Sequence, residues 1–242
     1  MAYEFYYWPW IQGRGEVVRL ALEYSGADYV DVGRGSEEDG QGVAAIRAFL
    51  ETDAAQPQPY APPFLRTGDL VIAHAANILL YLGDHHDLAP ADEVARLYAH
   101  QLQLTVTDFV KEIHDTHHPI SNGLYYEEQI EPAKQKSAHF LEVRLPKYLG
   151  YFERVILGNP AGSGYAIGLT PTHVDLSIFQ LIAGLCYAFP KAMAQIESDY
   201  PLASRLHDTV VALPRIAEYL ASDRRIPFNE KGVFRRYPEL DP

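Results

Sequence analysis

Three histidines crowd one short stretch, Glu112-Ile113-His114-Asp115-Thr116-His117-His118-Pro119, the densest group of metal-ligating side chains in the sequence. Imidazole nitrogens are common ligands of zinc and related divalent ions, and His114 and His118 stand at i and i+4, on one face if the chain stays helical. Pro119 works against that continuation, because the residue before a proline avoids the helical region. The same residues also read as a helix-end cap with surface imidazoles. The other candidate for reactive chemistry is the single cysteine, Cys186. One thiol cannot make a disulfide framework, a Cys-x-x-Cys redox pair or a cysteine-rich zinc site, since each needs at least two. Cys186 lies in an apolar run with no cationic residue nearby before Lys191, which reads as a buried structural thiol and not as a nucleophile.

Composition removes whole classes of partner. The 242 residues carry 20 basic and 32 acidic side chains, a net charge of −12. Without clustered Lys and Arg, neither a phosphate backbone nor an anionic membrane surface is a fitting partner. The opening residues MAYEFYYWPW have no basic stretch leading into an apolar one, and no apolar run of membrane-spanning length occurs. The chain therefore reads as a soluble, cytoplasmic protein with enough residues for one large core or two modest ones.

The elements that must position any site follow from periodicity. Residues 3–8 (YEFYYW) read as a strand. After Gly13-Arg14-Gly15 comes EVVRLALEYS at helical spacing, ended by Gly26, which tolerates the left-handed conformation of a helix C-terminus. Residues 28–32 read as a second strand, 42–51 as a second helix, 63–73 as a hairpin turning at Thr67-Gly68, and 75–82 as a third helix stopped by Gly83. The order is βαβαββα. Residues 84–92, polar and containing Pro90, read as a linker, and residues 93–242 as helices with a tail draped over the surface. Leu141, Leu145, Leu149, Phe152 and Ile156 form an apolar stripe. Thr172-x-x-Asp175 is a capping box opening a helix apolar on nearly all sides, hence central.

An α/β thioredoxin-like half (1–83) followed by an all-α half resembles the glutathione transferases, and four local features carry the resemblance across the chain. Tyr7-Trp8-Pro9 with Gln12-Gly13-Arg14-Gly15 is similar to the tyrosine-type classes. Pro63, in Pro62-Pro63-Phe64-Leu65, stands where the family keeps a cis proline. Asn77-Ile78-Leu79-Leu80-Tyr81-Leu82 is like the helix that closes the first domain, and Thr172-x-x-Asp175 lies in the buried helix of the second.

The resemblance implies glutathione as co-substrate, a small hydrophobic electrophile as the second reactant, and a homodimer. It casts Tyr7 as the group that stabilises the glutathione thiolate, with Arg14 the nearby cation. A phenol stays protonated at neutral pH and can donate its O–H to a sulfur anion, and a shift of two pKa units needs only about 2.7 kcal/mol. Tyr6 competes for the role; strand alternation sends the two tyrosines to opposite faces, and the resemblance through Trp8-Pro9 favours Tyr7. Pro62, preceding the cis proline, has a carbonyl to pair with the cysteinyl part of glutathione but no N–H. His74-Ala75 stands where the family has Glu or Gln followed by Ser or Thr, leaving a helix N-terminus to receive the γ-glutamyl carboxylate. Trp8, with Arg34 or Arg47, is expected at the glycine carboxylate. Trp10, Tyr125, Tyr126, His114, His117 and His118 are expected to line the electrophile's cleft, with no metal. Alternatives on the same scaffold are a glutathione-dependent isomerase, lyase or peroxidase, or a non-catalytic ligand carrier.

Overall fold

The computed structural model describes residues 2–52 and 57–242. Strand β1 (Tyr3–Tyr6) pairs in parallel with β2 (Tyr29–Asp31), and helix α1 (Glu16–Ser25) makes the crossover between them. Gly26 ends α1 in the left-handed region at φ 67°, where its N–H donates to the Glu23 carbonyl. Helix α2 (Gly42–Glu51) leads to β3 (Phe64–Thr67), antiparallel to β1, and on to β4 (Leu70–Ala73). Thr67 pairs with Leu70, so the hairpin turns at Gly68-Asp69, one residue later than the sequence suggested. Helix α3 (Ala75–His85) completes a βαβαββα unit with sheet order β2-β1-β3-β4, a thioredoxin-like arrangement.

Alternation along β1 divides its aromatics between the two faces of the sheet. Phe5 packs with Leu65 and Ile72 against α1 and α3, and Tyr7, the first residue beyond the strand, joins that core. Tyr6 faces the other way, stacked on Phe64 at 4.4 Å and packed with Ile46 of α2.

Gly83 does not stop α3. The helix continues to His85, so Asp84 and His85, assigned above to the linker, are helical. The glycine serves close packing instead, since a Cβ there would lie 2.9 Å from the Ala89 methyl and 3.2 Å from the His173 ring.

The rest is helical: α4 (Glu93–Asp115), α5 (Ile130–His139), α6 (Leu145–Leu157), α7 (His173–Ala188), α8 (Pro190–Ile196), α9 (Pro201–Val211) and α10 (Pro214–Leu220). The stripe Leu145, Leu149, Phe152 and Ile156 is buried along α6, while Leu141 sits in a short π-helical stretch before it. Helix α7 is central, with every side chain from His173 to Ile182 buried. Asp175 anchors its start, accepting the Thr172 N–H at 2.7 Å, the Thr172 hydroxyl at 2.8 Å and the Ala166 N–H at 2.7 Å.

Two readings are corrected. Cys186 is exposed, on the outer face of α7 between the buried Leu185 and Ala188, and partial desolvation with the Glu197 charge pushes its thiol pKa up. The tail is not merely draped: Ile226, Val233, Phe234 and Leu240 are buried, and Phe234 sits so close to Gly184 that a Cβ there would come within 2.4 Å of its ring. Among the described residues no single helix is long and apolar enough to cross a membrane.

Candidate active site

A cavity of about 480 Å³ opens between the α/β half and the helical half. The α/β wall comes from three places: Gly13, Arg14 and Val17 at the entrance to α1, the loop Tyr60 to Pro63, and Ala73, His74 and Ala75 at the start of α3. The helical wall is Gln103, Val106, Thr107 and Val110 of α4 with Ser177, Gln180 and Leu181 of α7, and Phe234 of the tail closes one side.

The local chain shapes the first wall. The Pro62-Pro63 bond is cis, and the Pro63 carbonyl accepts the His74 N–H at 3.1 Å, so the proline loop and the start of α3 are tied together. His74 adopts φ 73°, a left-handed value uncommon outside glycine, and its carbonyl accepts the N–H groups of Asn77 and Ile78. The first N–H groups of α3 have no acceptor within the helix and carry the positive end of its dipole. Ala75 is at the cavity and offers no hydroxyl.

Tyr7 lies directly under the Gly13–Gly15 segment. A Cβ on Gly13 would stand 2.2 Å from the Tyr7 hydroxyl, and one on Gly15 2.3 Å from its ring, which is why glycines flank Arg14. The Arg14 N–H donates to the Tyr7 hydroxyl oxygen at 2.8 Å, leaving the phenolic hydrogen free to donate elsewhere. Burial pushes the Tyr7 pKa above its ordinary value, and the Arg14 N–H, with the Arg14 and Arg19 charges, only partly opposes this. The phenol is therefore neutral at physiological pH, a donor and not a base. Below it, Arg19 is fully buried over the Tyr7 ring at 5.7 Å and is held charged by Glu16 and Asp31, which outweigh the cost of burying it.

The expected residues separate into two groups. Arg14, Pro62, Pro63, His74 and Ala75 line the cavity. Tyr7 is covered by Gly13 and Arg14, and Trp8 is stacked on the half-exposed Trp10 at 6.1 Å, away from the cavity walls. Tyr125 is 78% exposed, and Tyr126 is buried against Tyr237 of the tail, so neither lines the cavity. His114, His117 and His118 sit together outside its walls. Arg34 donates to the carbonyls of Asp223 and Arg224 in a separate surface cleft, and Arg47 is exposed on α2, so neither reaches this cavity.

Periodicity did not single out the polar groups of the far wall. Gln180 donates to the Gln12 side-chain oxygen at 2.7 Å and accepts from Arg225 at 2.9 Å, and Gln12 in turn donates to the Ile226 carbonyl. Gln103, only 1% exposed, accepts the Ser177 hydroxyl at 2.8 Å. The available signal was Ser177 and Gln180, three apart on an otherwise apolar helix, where a buried polar side chain needs a stated partner.

Residues 114–223 match the family model described as the glutathione S-transferase C-terminal domain. The chain is 30% identical over 228 residues to a glutathione S-transferase P 1 of Xenopus laevis, covering 92% of this chain and 93% of the relative. It is 26% identical over 219 residues to a glutathione S-transferase of Plasmodium falciparum (isolate 3D7), covering 87% of this chain and 92% of that one. Among solved structures, prostaglandin synthase D of Nilaparvata lugens is similar in fold, with a TM-score of 0.70, 20% identity, and coverage of 94% of this chain and 100% of that one.

Proposed function

The chain belongs to the glutathione S-transferase family, and on that footing we propose that it is a transferase in which Tyr7 stabilises the thiolate of bound glutathione for attack on a hydrophobic electrophile. The observation that carries the reading is the Arg14 N–H donating to the Tyr7 oxygen, just behind the Gly13 and Arg14 that line the interdomain cavity. It occupies one lone pair of a neutral phenol and leaves its O–H as the group to meet a sulfur anion.

In this reading residues 1–83 hold glutathione. The γ-glutamyl carboxylate docks at the N-terminus of α3 beside His74, and the cysteinyl segment lies along the Pro62 carbonyl. The thiol proton leaves to solvent, and Tyr7 donates a hydrogen bond to the remaining sulfur anion with the Arg14 charge nearby. The sulfur then forms a bond to the electrophilic carbon, and the leaving group departs with the displaced electron pair. The electrophile rests on Val106, Val110 and Leu181, so proximity and thiolate stabilisation together supply the rate. The reducing cytoplasm is the natural compartment for such a protein, and a second copy of the chain its natural partner.

Binding of glutathione, measured by calorimetry at millimolar concentration, is the first test. With Tyr7→Phe, binding should persist while the pKa of the bound thiol rises by about two units, equivalent to roughly 2.7 kcal/mol, and conjugation at neutral pH falls about a hundredfold. Conjugation unchanged in Tyr7→Phe would overturn the role of Tyr7. A second reading, a ligand carrier that kept the fold, is favoured by the missing Pro62 N–H and Ala75 hydroxyl. Absence of glutathione binding would establish it over the first.

A further inference from the structure

We propose that His114, His117 and His118 form a binding site for a divalent transition-metal ion of the zinc type, with three imidazole ligands and one open coordination position. No metal is expected there from the sequence, because Pro119 argues against a continuing helix. In the folded chain the turn does continue: the N–H groups of His117 and His118 donate to the His114 carbonyl at 3.3 and 3.2 Å. That extra turn brings the three rings together, with centroids 4.8 to 4.9 Å apart and one ligating nitrogen from each within 4.8 Å of the others.

The hydrogen bonds fix the tautomer of His117 and leave one His114 nitrogen unpartnered. His117 Nε2 lies 2.8 Å from the Val233 carbonyl, an acceptor only, so that nitrogen carries the proton and His117 Nδ1 presents a lone pair. His118 Nδ1 stands 2.6 Å from it, so its N–H donates to His117 Nδ1 in the metal-free chain, and metal binding takes His118 in the other tautomer or displaces that proton. His114 Nδ1 is buried with no hydrogen-bond partner. A buried imidazole nitrogen left unpaired is costly, and an ion would satisfy it. The Val233 contact is the kind that fixes a ligating histidine, with the second ring nitrogen tied to a carbonyl.

Bonds of about 2.0 to 2.1 Å in tetrahedral geometry set ligand nitrogens about 3.3 Å apart. On binding, the close His117–His118 pair must open and the wider spacings contract. Burial keeps all three imidazoles in the neutral, ligating form. The charges that face the cluster balance in sign: Arg14 and Arg235 oppose a cation, while Asp115 and Glu127 favour it. Nitrogen-only ligands with an open position suit zinc, cobalt or nickel better than magnesium or calcium, which take oxygen.

The test uses the full chain, stripped with a chelator and titrated with Zn²⁺ by calorimetry and with Co²⁺ by visible absorption. One equivalent should bind, with a Co²⁺ spectrum characteristic of few-coordinate nitrogen ligation. His114→Ala should weaken binding tenfold or more, and His114→Ala/His118→Ala should abolish the spectrum while circular dichroism reports an intact fold. His85→Ala, which removes an exposed histidine elsewhere, should bind as the parent does. The proposal is overturned if the parent binds no stoichiometric ion, or if the double variant binds as tightly as the parent. Should the double variant fail to fold, displacement of glutathione-independent Co²⁺ absorption by Zn²⁺ in the parent, read against His114→Ala alone, gives the same decision.

Discussion

Pro62 shows how one residue type limits a binding site. It lines the cavity, and its ring nitrogen has no hydrogen to donate, so in the proposed glutathione site one bond of a strand-like pair would be missing. Replacing it by alanine restores the N–H and leaves Pro63 in place. Pro62→Ala should tighten glutathione by about 1 kcal/mol, roughly fivefold in Kd, measured by calorimetry. Ala75→Ser, which returns a hydroxyl to the start of α3, should act in the same direction and by a similar amount. The cis bond at Pro63 was legible in the sequence through the resemblance of a short local motif, which survives any packing. Gln12, Gln103 and Gln180 were not, because their importance comes from partners far along the chain: Ile226, Ser177 and Arg225.

Helix α7 carries its buried groups at a cost that pH reveals. His173 is fully buried near His100, and burial lowers its pKa to about 4 from an ordinary 6.5. The unfolded chain therefore binds a proton in that interval that the folded chain does not. Stability from this group is fully present above pH 6.5 and is lost as the pH falls toward 4, at about 1.4 kcal/mol per pH unit. Urea unfolding of His173→Gln across that window should show a slope shallower by that amount than the parent. The existence of α7 and its capping box followed from the residues Thr172 to Asp175 and the apolar run after them. Its polarity inside the core did not, since His173, Ser177 and Gln180 look in sequence like ordinary exceptions in an apolar helix. The same limit explains Gly83: a glycine near a helix end signals a stop, and only the nearness of Ala89 and His173 shows that it is there for packing.

At the scale of the molecule, one buried carboxylate ties the two halves together. Glu16 at the start of α1 pairs with Arg19 and Arg225 and accepts the Tyr219 hydroxyl, so α1, α10 and the tail meet on a single group that has no exposure. Outside the molecule, α4 leaves an apolar stripe uncovered: Val94 is 73% exposed and Leu97 64%, with Tyr98 and Leu104 beside them. Val94, Leu97 and Tyr98 share one helical face. We read it as part of the face between two copies. Sedimentation should give twice the 27.2 kDa chain mass, and Leu97→Glu should shift the protein toward monomer at micromolar concentration.

By itself the sequence determined the βαβαββα order, the cis-proline loop, the position of Tyr7 at the end of β1 and the central place of α7. Each depends on local spacing or on a motif a few residues long. The tertiary structure alone decided which residues line the cavity, because that depends on how far the loops and tail reach: Phe234 comes in, while Trp10, Tyr125, Arg34 and the three histidines stay out. It also decided that the histidines converge, since the turn after Asp115 is held against Val233, a residue 116 positions along the chain from His117.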